Sequence, residues 1–251
     1  MVNQATTTPE IIIREISYTD SKGQSLIGYL AYPEGENKLP AVLVCPEWWG
    51  RNDYIEKRAR ELAEHGYAAF AIDMYGDKKI AEDAKTANAY MSATFDEPDT
   101  IVDRATAALN TLSAQPEVNA AKIAAIGFCY GGKVALDLAR SGANIQAVAT
   151  FHANLSTQTP AQTGHFNAEV LVSHGHDDSM VSLDDVEQFK QELDHAEVNY
   201  RVDIYPNAKH GFTNPAANEN ARKNGVDLGY NPLAEAESFD RMYALLDRIL
   251  K

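Results

Sequence analysis

Of the two cysteines in 251 residues, one stands in Gly127-Phe128-Cys129-Tyr130-Gly131-Gly132, between the apolar run KIAAIGF and KVALDLAR, which has helical spacing. A nucleophile on a sharp strand-to-helix turn is lifted above the sheet edge, and flanking glycines avoid the collisions that side chains would make in so tight a bend. The helix N-terminus beneath it supplies unpaired N–H groups and a positive dipole end, which stabilise a thiolate and a developing oxyanion. The competing reading is a structural cysteine, since free Cys is among the most buried residue types. Cys45, inside AVLVC, takes that second reading as plain strand core.

A thiol nucleophile needs a base, and the base needs an orienting acid. After EVLVS comes His174-Gly175-His176-Asp177-Asp178-Ser179-Met180-Val181, and after YRVDIY comes Pro206-Asn207-Ala208-Lys209-His210-Gly211-Phe212. Both follow apolar runs, where open α/β sheets place their ligands. His210 is read as the base, because a free imidazole titrates at ~6.5, close to working pH. Asp177 and Asp178 both qualify as the acid. The spacing H-G-x-x-D-x-x-V falls on His174, Gly175, Asp178 and Val181 and prefers Asp178. Turn capping is the plain alternative for either carboxylate, and a surface loop for the histidine. The chain order nucleophile, acid, histidine is that of α/β-hydrolases.

HGHDD also permits a metal reading. Histidines at i and i+2 share a face on a strand, and adjacent carboxylates could complete a site. H-x-H alone is a weak signal and leaves the Cys129 turn unexplained, so neither a metal nor a cofactor is expected.

Pro46-Glu47-Trp48-Trp49-Gly50 follows AVLVC directly. The loop after this strand normally supplies one oxyanion donor, so the N–H groups of Trp48 and Tyr130 are the expected pair. Glu47, beside a thiol in an apolar loop, should prefer its proton or a cationic partner; a solvent-facing or helix-entry Glu is the alternative. Trp49, and His152 in TFHANL, are placed in the substrate pocket, although a structural polar residue at a strand end explains His152 as well.

The elements that must position these residues follow from periodicity. Ile11–Tyr18 and Leu26–Tyr32, separated by DSKGQS, predict an antiparallel hairpin. From Pro40 onward AVLVC, YAAFAI, KIAAIGF, QAVATF, EVLVS and YRVDIY alternate with helical spacings, among them Ile55/Ala59/Leu62/Ala63, Ile101/Ala105/Ala108/Leu109/Leu112, Val186/Phe189/Leu193 and Phe239/Met242/Tyr243/Leu246. The expected fold class is α/β: a mostly parallel central sheet with helices on both faces and an N-terminal hairpin. Residues 1–9 read as a flexible polar lead-in and residues 10–251 as one domain. The stretch Thr213–Pro232 fits neither strand nor helix; it is either a binding wall or a solvated excursion.

The formal net charge of −14 argues against nucleic acid, whose phosphates would be repelled. The apolar runs are too short to cross a bilayer. With no disulfide framework and no signal-peptide pattern, the expected location is cytoplasmic. The sequence leaves the oligomeric state open.

Cys129 in GFCYGG, Asp178 in HGHDDSMV, His210 in AKHGF and Glu47 in PEWWG together resemble the dienelactone hydrolase family of α/β-hydrolases, from about Leu26 to the C-terminus. The resemblance implies a Cys-His-Asp triad that cleaves small lactones or esters through a thioester, and a Glu that interacts with the nucleophilic thiol. The expected function is therefore that of a dienelactone hydrolase-like carboxylic ester hydrolase. The alternatives are a metal-dependent hydrolase using HGHDD and a non-catalytic binding member of the fold. One departure stands out. The family's dienelactone-cleaving members carry an arginine four residues after the histidine, where this chain has Asn214; Lys85 corresponds only loosely to a second basic residue. An amide lacks the charge of a bidentate carboxylate clamp, so carboxylate-bearing substrates should gain little preference over neutral ones.

Overall fold

A computed structural model describes residues 9–97 and 99–251, so the lead-in read over residues 1–9 lies outside the described residues apart from Pro9. Alternating side chains build the N-terminal pair: β1 (Ile11–Thr19) and β2 (Ser25–Pro33) run antiparallel across the DSKGQS turn. The short apolar runs become β3 (Leu39–Cys45), β4 (Ala68–Ala71), β5 (Val118–Phe128), β6 (Ala147–Phe151), β7 (Glu169–Gly175) and β8 (Tyr200–Tyr205). The sheet order is β1-β2-β4-β3-β5-β6-β7-β8. β2 meets β4 antiparallel, and every pair from β4 to β8 is parallel.

Parallel strands need crossovers, and all but the irregular one from β6 to β7 contain helices. They are α1 (Asp53–Glu64), α2 (Ala84–Ala93), α3 (Thr100–Ser113), α4 (Tyr130–Arg140), α5 (Leu183–His195), α6 (Ala217–Asn224) and α7 (Pro232–Leu250). Successive strand residues face opposite sides, which splits the core in two. Leu43, Ala125 and Val170 pack with Leu109 of α3, Val134 of α4 and Phe189 of α5. Val44, Ile126 and Ala149 pack with Ile55 and Leu62 of α1 and with Phe239 and Leu246 of α7. Cys45 is sealed in the first of these layers, and burial pushes its thiol pKa upward.

β3 leads through α1 to β4 on one side, and the chain then returns past β3 to β5 and winds outward the other way. Where the order reverses, an open α/β sheet has a crevice at its strand C-termini. The PEWWG loop leaves β3 there and Cys129 leaves β5. The stretch Thr213–Pro232 does contain a helix, α6, which ends at Gly225 in a left-handed conformation, φ +67°. Its surroundings are irregular backbone up to Asn231, whose side chain caps α7 by accepting from the Leu233 and Ala234 N–H groups.

Candidate active site

The turn at Cys129 is strained. Its φ of +54° and ψ of −117° lie where a side chain crowds its own backbone, a state that persists only when the surroundings enforce it. Cys129 N–H donates to Phe151 O at 3.0 Å, and Cys129 O accepts from Gly132 N–H at 3.1 Å. The flanking glycines are required by contact: a Cβ on Gly127 would sit 2.0 Å from Gly131 O, and one on Gly131 would sit 2.2 Å from Cys45 O. Cys129 is consequently half-buried and reaches a cavity.

His210 and Asp178 arrive from the loops after β8 and β7. The Nδ1–H of His210 donates to Asp178 Oδ2 at 2.8 Å, while Asp178 Oδ1 accepts from the N–H groups of Met180 and Val181 at 2.8 and 3.0 Å. Burial alone would raise the Asp178 pKa; the bond and charge of His210, with those two N–H groups, outweigh it and hold the carboxyl below its usual range. Asp177 faces out instead, its side chain 48% exposed against 0% for Asp178. His210 is buried as well. Burial pulls its pKa down, but Cys129 and Asp178 pull harder, and it is pushed up to about 10. Its other nitrogen, Nε2, is buried with no hydrogen-bond partner in range among the described residues, on a ring that lines the same cavity as Cys129.

The β3 loop fixes a peptide plane. Glu47 C=O accepts from Gly50 N–H at 3.0 Å, and a trans peptide turns the Trp48 N–H to the opposite side. Tyr75 OH holds Trp48 O at 2.9 Å. Both Trp48 and Tyr130 line the cavity. Glu47 itself lies behind the loop, 4% exposed. Asn214 Nδ2 donates to its Oε2 at 2.7 Å, and no hydrogen bond joins Glu47 to Cys129 among the described residues. Burial pushes the Glu47 pKa up to about 7, against the opposing pull of the Asn214 bond and the His210 and Arg58 charges.

The cavity, of about 360 Å³, is lined by Trp48, Cys129, Tyr130 and His210 and by residues the sequence did not single out for it: Met91, Leu155, Met180 and Leu228 among the apolar ones, and Asn154, Ser156 and Asp185 among the polar. Four expected pocket residues lie elsewhere. His152 is wholly buried beneath His210, their ring centroids 5.2 Å apart. Trp49 packs inward on Ala81 and Ala87. Asn214 is spent on Glu47 and on the Ala216 N–H. Lys85 is exposed at the start of α2; Met91, about 240° around and roughly 9 Å along that helix, is its contribution to the wall. The HGHDD metal reading loses its geometry too: His174 is buried within β7, whereas His176 lies past the strand end and is exposed. Among the described residues no group of three or more His, Cys, Asp or Glu could hold a metal ion.

The sequence profile of the dienelactone hydrolase family matches residues 26–250. The chain belongs to that family. Within it, the chain is 28% identical over 202 residues to the "Probable 2-oxo-3-(5-oxofuran-2-ylidene)propanoate lactonase" of Bradyrhizobium sp., covering 76% of this chain and 81% of that one. The solved structure of m3DLH is similar at a TM-score of 0.89 and 40% identity, over 96% of this chain and 99% of the other. That of a dienelactone hydrolase-like promiscuous phosphotriesterase from metagenomic libraries is similar at 0.87 and 36%, with the same coverage. As a dienelactone hydrolase family member the chain is a carboxylic ester hydrolase. No helix among the described residues is long and apolar enough to cross a membrane.

Proposed function

We propose that the chain hydrolyses small, uncharged lactones or esters through a thioester on Cys129. The observation that carries this reading is that the strained Cys129 and the unpaired Nε2 of an Asp178-held His210 belong to one cavity. Cys129 Sγ, as thiolate, attacks the carbonyl carbon and the C=O electron pair moves onto oxygen, which the Trp48 and Tyr130 N–H groups stabilise. The collapsing intermediate expels the alkoxide, which takes its proton from His210 Nε2. Water then attacks the thioester and gives a proton back to Nε2. Collapse of the second intermediate releases the acid and restores the thiolate. Asp178 holds the imidazole in the required orientation throughout.

The cavity wall supports an uncharged substrate. Among the described residues it contains no lysine or arginine and one carboxylate, Asp185, and the chain carries a net charge of −14. An anionic group would meet repulsion with no clamp to offset it.

Cys129→Ala tests the nucleophile. Turnover of p-nitrophenyl acetate should fall to the level of the uncatalysed reaction, and iodoacetamide should inactivate the parent protein. Full activity in that variant would remove the cysteine mechanism. Loss of activity with a chelator, but not with thiol reagents, would favour metal chemistry instead.

A further inference from the structure

The mechanism leaves unused a wholly buried histidine beside its base. His152 directly follows β6 and holds φ at +41°, a left-handed backbone that residues with side chains adopt only under constraint. Its main-chain N–H donates to Ser173 O at 2.9 Å, and the preceding carbonyl, Phe151 O, accepts from Cys129 N–H. The imidazole therefore stems from the turn that supports the strand-to-helix elbow at Cys129. It stands inclined at 64° to His210 and nearly edge-on, at 80°, to Phe212, with centroids 5.2 and 5.3 Å away. At its far end Nε2 lies 2.8 Å from Thr213 Oγ1. Thr213 is buried too: its hydroxyl is 2.7 Å from Tyr54 OH, and its carbonyl accepts from an Arg58 guanidinium N–H at 2.9 Å.

We propose that His152 is a positioning residue for the base, fixing the tilt of His210 by bridging the elbow's supporting turn to Thr213 in the loop that carries the base. An apolar ring would fill the same volume, but only one with a nitrogen at this place also reaches Thr213. The titratable groups around the ring are His210, His174, Arg58 and Tyr54. Burial, followed by the His210, His174 and Arg58 charges, holds His152 neutral. It can therefore pack against an imidazolium without repelling it.

His152→Phe keeps a ring and removes the bond, and Thr213→Val removes the same bond from the other end. With p-nitrophenyl butyrate each should lower kcat roughly ten- to a hundredfold, the loss that an ångström-scale misplacement brings, with KM altered by less than about twofold. The double variant should lose no more than the Thr213→Val single, which cuts the His152 contact and also that to Tyr54 OH. Thr213→Ser, which keeps the hydroxyl, should recover most of the Thr213→Val loss. His152→Phe should also move the alkaline limb of the kcat–pH profile, which a purely space-filling residue leaves in place. A kcat within about twofold of the parent with superimposable profiles, or losses that multiply in the double variant, overturns the proposal. Should His152→Phe fail to fold, the Thr213→Val and Thr213→Ser pair decides when read beside Tyr54→Phe, which removes only the other contact of that hydroxyl and should leave kcat within about twofold of the parent; a Tyr54→Phe loss equal to that of Thr213→Val overturns the proposal. The inference rests on His210 being the base. An active His210→Ala would remove that reading, whereas an inactive His210→Ala beside an unimpaired His152→Phe sinks the positioning role alone.

Discussion

Glu47 shows how one residue's surroundings set its chemistry. Its carboxyl is buried, and its hydrogen-bond partner is the neutral Asn214 amide rather than a cation. A neutral donor offsets less of the burial cost than a guanidinium would, so the folded-state pKa rises to about 7 from 4.5. The sign follows. Between those values the folded chain holds a proton that the unfolded chain has lost, so stability is full below the lower value and falls as pH rises through the upper one. The drop amounts to about 3 kcal/mol. Thermal unfolding at pH 5 and at pH 8 should show Glu47→Gln much less sensitive to that change than the parent. Equal sensitivity in both would mean that Glu47 is ionised throughout. At this scale the sequence was uneven. Cys129, Asp178 and His210 drew notice because their types and spacing are rare together, and the fold sets Cys129 and His210 on one cavity with Asp178 bonded to His210. Met91, Leu155 and Leu228 did not, because an apolar wall residue looks like any core residue until the fold turns it toward a void.

The elements were legible where burial gives them a period. α1 buries Ile55, Ala59, Leu62 and Ala63, and α3 buries Ile101, Ala105, Ala108 and Leu112; each makes a stripe. α2 buries only Ala87 and α6 only Ala217, so neither leaves a pattern for the eye to find. The elbow is held by something subtler, the absence of two side chains. Gly131→Ala would drive a Cβ to 2.2 Å from the Cys45 carbonyl, and backbone cannot swing aside as a side-chain tip can. The expected cost is about 3 kcal/mol, the upper end of overpacking, or a fall in Tm of roughly 10 °C for a chain of this size. Gly229→Ala is the comparison: its nearest neighbour is the flexible Lys209 side chain at 3.2 Å, and it should unfold close to the parent temperature. Similar unfolding temperatures for both variants would show that the elbow yields.

Over the whole molecule, the sheet with its two helical layers could be read from the alternation of apolar runs, because a parallel strand covered on both faces must be apolar nearly throughout. What no periodicity carried was the winding reversal beside β3 that creates the crevice. Charge acts at this scale too. With −14 overall and, among the described residues, no lysine or arginine on the cavity wall, kcat/KM for a carboxylate-bearing ester should start below that of its neutral analogue. It should then rise as salt shortens the screening length from about 30 Å at 0.01 M to about 3 Å at 1 M. The neutral ester should show a flat response; a falling curve for the anion would reveal an attracting cation.

The two thiols occupy opposite situations, one sealed within a core layer and one at the rim of the void. Titration with a chromogenic disulfide should consume a single equivalent from native protein and a second only in concentrated guanidinium. Each preparation therefore contains its own gauge of intact molecules, readable from colour before any substrate has been found.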